Sequence, residues 1–463
     1  MKQIFKKYVL PEQMDKGWMI KLLFSLVFPA AILFFRPITL TARQAAVVAA
    51  VLLVIIWWSV GIVKKIPASI FLLVVFCLTS GVEEQTIFSF PLSETFPMIV
   101  ITYLFSQGIA NSGLIDKIFQ PLLLRLVHTP FQCLLAIAAM FYLTMYVIPQ
   151  PLARVIIVAV MFHQFLKQTD LPKQTCSALM YGVFLLFATI NMSAKDADMI
   201  MNHVAAGFSE IPISNGMWMR YMAIPTLITA GLILLCFLLL FRHELLGITL
   251  KAKETDIPTP FSKQQKAALA VILLTVILWM SHGLHGLNNT VITVLATALL
   301  FGLRMLHKED LKTIDVATLI FLTAAFSIGG VMKACGAADK VFGTLQGIFP
   351  AEFSVVYLMV MVLVSMLLHM ILGSNTTTLS VAVPGMIILC GQAVSSPVIV
   401  FTAIVSVSFH ALLPFHSVAM MIGASNGYFP ARYVTRMGFI LTLLTFLTAG
   451  GVFLPYWRLT GLF

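Results

Sequence analysis

The stretch Leu372-Gly373-Ser374-Asn375-Thr376-Thr377-Thr378 decides how this chain is read. It is small, polar and helix-weakening, and it lies between two apolar segments, 351–371 and 379–390. Crossing the hydrocarbon of a bilayer takes about 20 helical residues, so neither arm is a comfortable span on its own. Two short arms around a Gly-Ser-Asn-Thr tip predict a re-entrant hairpin over about 351–392. Non-helical backbone at membrane depth is tolerated only where it is buried in protein or lines a wet cavity. The tip is therefore a binding-site candidate. The alternative is one kinked span whose Ser and Thr hydroxyls bond their own backbone.

The rest of the chain supplies the membrane. Hydrophobic residues make up 60% of its 463 positions and charged ones 10%, with a mean hydropathy of +0.99. Apolar runs of span length recur from end to end, which predicts an all-α polytopic membrane protein with about 11 transmembrane helices. The longest polar stretch, 242–266, contains Ile257-Pro258-Thr259-Pro260 and reads as a cytoplasmic linker. The net charge of +11 sits largely in short loops, where it sets topology; it does not point to nucleic acid. Six scattered cysteines without a CxxC pair predict neither a disulfide nor a metal framework. The chain has no GxxxxGK[ST] loop, so it does not drive transport with ATP, and no HExxH motif or paired carboxylates in its spans. It is not expected to be an enzyme or to hold a cofactor, beyond a sodium ion or proton as coupling ion.

Residues 1–43, with Lys2, Lys6, Lys7, Lys16 and Lys21, read as a cytoplasmic segment and a first span. Nothing there resembles a cleavable signal peptide. Residues 111–130 read as an amphipathic segment at the cytoplasmic interface. A second pair of short arms, 131–148 and 155–166, flanks Pro149-Gln150-Pro151-Leu152-Ala153-Arg154. Two prolines one residue apart cannot sit inside an unbroken helix without losing backbone bonds, so a second hairpin is expected over about 131–166, opening on the cytoplasmic side. Spans are interrupted at Ile190-Asn191-Met192-Ser193-Ala194-Lys195-Asp196 and near Leu413-Pro414-Phe415-His416. Arg432 and Arg436 mark the cytoplasm, and the C-terminus is expected outside.

Ser112-Gly113-Leu114-Ile115-Asp116-Lys117-Ile118-Phe119 resembles Cys335-Gly336-Ala337-Ala338-Asp339-Lys340-Val341-Phe342, at an offset of 223 residues (336 − 113). The same offset places Pro151–Arg154 on Ser374–Thr377 and the first helix break on the second. The topology sends the two halves, 44–241 and 267–463, in opposite directions. Inverted repeats of this kind put a substrate site near the midplane, at hairpin tips and broken helices, and permit alternating access.

On Trp57-Trp58 with Pro67, the ordered pair of hairpins and Ser374-Asn375-Thr376, the chain resembles the divalent anion/sodium symporter family of dicarboxylate and citrate carriers. The likeness covers nearly the whole chain. It implies that a Ser-Asn-Thr tip and the break in the following helix hold sodium and bind a substrate carboxylate, and that the protein is a homodimer. In the second half this carries to Ser374, Asn375, Thr376 and Thr377, with Pro414 and Ser417 in the break; a sodium ion is implied at Ser374, Asn375 and Thr376. In the first half Pro151-Leu152-Ala153 replaces the signature, which places the first sodium site, and sodium coupling with it, in question.

The remaining candidates come from the residues themselves. Arg154 and Lys195 sit at breaks deep in the first half. A charge at mid-membrane costs about 3 kcal/mol or more and marks a pathway or a paired partner. Either could supply fixed positive charge where relatives place sodium, and Arg suits a carboxylate through its planar fork. The structural alternatives are snorkelling for Arg154 and pairing of Lys195 with Asp196 or Asp198. His416 and His410 could carry a coupling proton or be neutral core residues. Gln150, Asn191 and Ser193 are candidate polar ligands. The expected partners are the bilayer and a small anion, and the expected function is secondary transport of di- or tricarboxylates, with sodium-independent exchange as one mode of coupling. An inorganic oxyanion permease or a cation/proton antiporter on the same scaffold is the alternative, but an antiporter wants an intramembrane acid that the spans largely lack.

Overall fold

The fold is known from a computed structural model, which describes residues 16–463 except 61, 251–259, 344–346, 348, 351 and 391–392. Lys2, Lys6, Lys7, the centre of the 242–266 linker and the outer ends of the 351–392 hairpin lie outside the described residues.

The described residues are helical throughout, with no strand among them. After α1 (Lys16–Phe35) come α2 (Ala42–Val60), α3 (Lys65–Val75), α4 (Thr95–Ser112), α5 (Leu114–Leu126), α6 (Pro130–Thr144), α7 (Pro151–Lys167), α8 (Lys173–Ile190), α9 (Met201–Gly207) and α10 (Asn215–Leu240). A second series repeats the order: α11 (Lys263–Met280), α12 (Asn289–Gly302), α13 (Val316–Ala334), α14 (Ala337–Gly343), α15 (Val355–Leu372), α16 (Asn375–Cys390), α17 (Ser396–Val407), α18 (Val418–Ser425) and α19 (Ala431–Thr448). Among the described residues five helices are long and apolar enough to cross a membrane, or six with one bent pair counted as a single span. The other apolar helices are shorter, so length alone does not reproduce the eleven spans expected. Phe24, Phe28 and Phe34 on α1 are exposed, an apolar face that lipid, not water, would solvate.

The two series exchange partners. Helix α3 packs on α13, while its counterpart α12 packs on α4; α8 packs on α18, while α9 packs on α17. The polar contacts are reciprocal as well. Gln44 Nε2 donates to the Cys335 carbonyl at 2.9 Å, and Gln265 Nε2 to the Ser112 carbonyl at 3.1 Å. Lys340 Nζ donates to the Thr39 carbonyl at 2.7 Å, and Lys117 Nζ to that of Pro260 at 3.0 Å. This explains the repeated motif. Gly113 and Gly336 turn the chain at φ 65° and 70°, values that cost L residues about 1 kcal/mol or more. The lysine four positions on then closes onto the start of the other half's first helix. Reciprocity of this kind is what a pseudo-two-fold relation between the halves produces.

Candidate functional site

The hairpin at Gly373–Ser374, second in chain order, is tighter than the sequence suggests. Gly373 ends α15 in the left-handed region at φ 62°, the conformation that caps a helix and favours glycine. Helix α16 begins directly at Asn375. Asn375, Thr376 and Thr377 are therefore its first turn, not a polar loop. The hydroxyls there turn back onto the helix: Thr378 Oγ1 donates to the Ser374 carbonyl and Ser380 Oγ to that of Thr376, both at 2.8 Å. The apolar arms are joined by little more than the Gly373–Ser374 turn. Backbone N–H groups at such a helix start are unpaired and attract anions.

In the first hairpin Pro151 opens α7, where a missing N–H is harmless. Gln150 is its cap, accepting from the Ala153 N–H, and its own N–H donates to Ser106 Oγ at 3.3 Å. The carboxamide proposed as a ligand is thus engaged in closing the helix. Both breaks are short 3-10 turns, Lys195–Ala197 and Pro414–His416. Helix α10 secures the first, with Trp218 Nε1 donating to the Met192 carbonyl at 2.9 Å.

One cavity gathers these irregularities. Pro151 and Leu152 line it from the first tip, and Ser374, Asn375 and Thr376 from the second. Asn191 and Asp198 come from the first break, and Ser408, Ser417 and Val418 from the second. Lys65 on α3 and Thr318 and Phe321 on α13 complete the wall that the argument needs. Of the residues singled out in the sequence, Ser374, Asn375, Thr376, Asn191 and Ser417 meet here. Thr377, Gln150, Arg154, Ser193, Lys195, Pro414 and His416 do not line the cavity. Ser193 Oγ donates to the Ile190 carbonyl at 2.7 Å.

Arg154 does not offer its fork to the cavity, and the reason is geometric. It is wholly buried and donates to the carbonyls of Met145 (3.3 Å), Ile148 (2.9 Å) and Ala197, and to Asn191 Oδ1 at 2.5 Å. It therefore sits behind the first tip and ties the end of α6 to the first break. Lys195 likewise has its partner away from the cavity. Its ammonium donates to the Ile213 carbonyl at 3.0 Å, while Asp196 bonds His203 and Asn215.

The second half solves the same problem with a residue the sequence did not flag. Asn375 Nδ2 donates to the carbonyls of Val407 and Ser408, each at 3.3 Å. That turns Oδ1 toward His369 Nε2, 3.2 Å away; the His416 carbonyl lies 3.0 Å from the same nitrogen. Two acceptors on one nitrogen require that Nε2 carry the proton. His369 thus bridges the second tip to the second break as Arg154 bridges the first. Its other nitrogen is 3.4 Å from His410 Nδ1, and His410 Nε2 is 3.2 Å from Thr442 Oγ1. His416 takes the Leu412 N–H on Nδ1 at 3.3 Å. A lone histidine in an apolar arm carries no spacing signal, so only the packing reveals it.

Residues 16–463 match the family described as the sodium:sulfate symporter transmembrane region. No curated protein matches the chain.

Proposed function

Since the chain belongs to the sodium:sulfate symporter family over residues 16–463, and is therefore a multi-pass membrane protein of an anion-transporter family, we propose that it carries small dianions, dicarboxylates or an oxyanion such as sulfate, by alternating access through the cavity between its two halves. The observation that carries this reading is that both hairpin tips and both helix breaks line a single cavity. The reciprocal packing of the halves supports two oppositely oriented repeats that exchange conformations, which is the geometry alternating access needs. The N-terminus is placed in the cytoplasm and the C-terminus outside by loop charge, and the working unit is read as a homodimer by family.

The coupling follows from the oxygens. A sodium ion at a tip and break would need carbonyl and side-chain oxygens free to surround it. In the first half the Met145, Ile148 and Ala197 carbonyls and Asn191 Oδ1 all accept from the Arg154 guanidinium. In the second, Asn375 Oδ1 and the His416 carbonyl face an N–H of His369. Residues of the protein thus occupy the oxygens that would bind a cation. A fixed cation leaves with neither the substrate nor a gradient, so an empty carrier keeps its positive charge. Return without an anion is then unfavourable, and the preferred cycle is exchange of one anion for another. Proton symport through the histidines is the second reading, and the His369–His410 contact is what favours it.

Uptake of labelled succinate and sulfate into liposomes tests this. Uptake is expected to rise at least about tenfold when the same anion is trapped inside, and to change less than twofold when sodium replaces choline, a difference well below the 1.4 kcal/mol that a factor of ten represents. Strict sodium dependence would exclude the exchange mechanism.

A further inference from the structure

Lys65 is a charged cavity residue that neither the sequence pattern nor the two tips account for. It reads in the sequence as half of a loop pair, Lys64-Lys65. In the structure it opens α3, and its ammonium lies 5.1 Å from the centre of the Phe321 ring. That ring is held edge-on by Trp58 at 4.8 Å. Among the described residues Lys65 Nζ makes no hydrogen bond and no ion pair; Asp315 acts on it through space but directs both oxygens at Thr318.

Its position is electrostatically costly. A lysine in the first turn of a helix opposes the positive end of the helix dipole, and here it also faces a cavity. Among the described residues only one other charged side chain lines that cavity, Asp198, whose Oδ1 caps α9 by accepting from the Ile200 and Met201 N–H groups. Arg154 lies behind the first tip and does not line the cavity. Lys65 is thus the one cation among the cavity's described lining residues. It stands on α3 in the first half, and the Ser374–Thr376 helix start stands in the second. An anion with charge at both ends can satisfy both; an anion with one charge cannot.

We infer that Lys65 binds the second negative group of a dianionic substrate and so sets the preference for dianions over monoanions. This rests on the reading of the cavity as the anion site, and the test separates the two. Wild-type, K65Q and K65R proteins are reconstituted, and uptake of labelled succinate and sulfate is competed with their singly charged relatives, succinamate and methyl sulfate. K65Q is expected to raise KM for the dianion about tenfold or more, as loss of a charged hydrogen bond does. The monoanion's inhibition constant should change less than about twofold, so the preference collapses. K65R should retain it. The melting temperature without ligand serves as the check on folding, and K65M is the second variant should K65Q not fold. A K65Q or K65M protein that keeps the wild-type dianion preference overturns the inference while leaving the carrier reading intact. Wild-type protein that takes up neither succinate nor sulfate overturns the carrier reading, and this inference with it.

Discussion

Arg154→Ala protein is expected to melt far below wild type and to carry no anion. The change removes one guanidinium that serves four oxygens from three stretches of chain: Met145 and Ile148 just after α6, Asn191 at the end of α8 and Ala197 in the first break. The site is wholly buried, so the four oxygens lose their protein donor together. Each orphaned buried acceptor costs about 1–3 kcal/mol. Four of them come to about 4 kcal/mol even at the lower end, a large share of a native protein's total stability. Lysine should rescue only in part, because a compact ammonium has three donors and no planar fork. Lys195→Ala is the contrast. It loses a single bond to Ile213 from a half-buried side chain, and about 1 kcal/mol is expected. Thermal unfolding in detergent measures both. Equal, small losses in the two variants would show that Arg154 does not hold the first tip to the first break.

Gly438→Ala should be nearly as damaging, for a steric reason. Helix α19 crosses the second break at Gly438, where an added Cβ would lie 2.5 Å from the Ala411 carbonyl oxygen and 2.8 Å from Leu412 Cα. Both are backbone atoms, and neither can rotate away. Overpacking usually costs about 1–3 kcal/mol; with backbone on both sides of the contact the upper end, about 3 kcal/mol, is expected. The alternative to that cost is a displaced break, which moves the Ser408 and Ser417 side of the cavity wall. Uptake should therefore fall at least about tenfold, since that factor needs only 1.4 kcal/mol. Gly182→Ala calibrates the effect. Its Cβ would meet Leu134 Cδ2 at 2.5 Å, but that atom ends a flexible side chain that can swing aside, and a milder loss should follow. If the two alanine variants prove equally stable and active, α19 does not brace the break.

The elements whose reading depended on chain-local chemistry were visible in the sequence. Gly373-Ser374 and Pro149-Gln150-Pro151 announce tips because glycine and proline act on the backbone where they stand. The Asp-Lys motif announced a repeat, but not its purpose. That Lys117 and Lys340 each reach the start of the other half's first helix requires knowing how the halves pack. Arg154 was conspicuous because burying a charge is costly; which oxygens satisfy it depends on where three chain segments end, and no local pattern states that. Lys65 looked like a topogenic loop charge, since the positive-inside tendency explains a Lys-Lys pair without any cavity. His369 had no pattern at all. The helical start at Asn375 also shows that two readings of the Ser-Asn-Thr tip are compatible. Its hydroxyl neighbours bond their own backbone, and the turn so fixed is what presents Ser374, Asn375 and Thr376 to the cavity.

The most direct measurement is thiol labelling of cysteines placed one at a time at Leu152 and at Thr376, one on each tip, with exposed Cys77 and the half-buried Cys176, Cys236 and Cys335 replaced by serine in both. Succinate or sulfate should slow labelling at both positions, with half-protection at the same anion concentration, because one bound anion shields both tips. Protection at one position alone, at two different concentrations, or at neither would contradict a single anion site built jointly by the two halves.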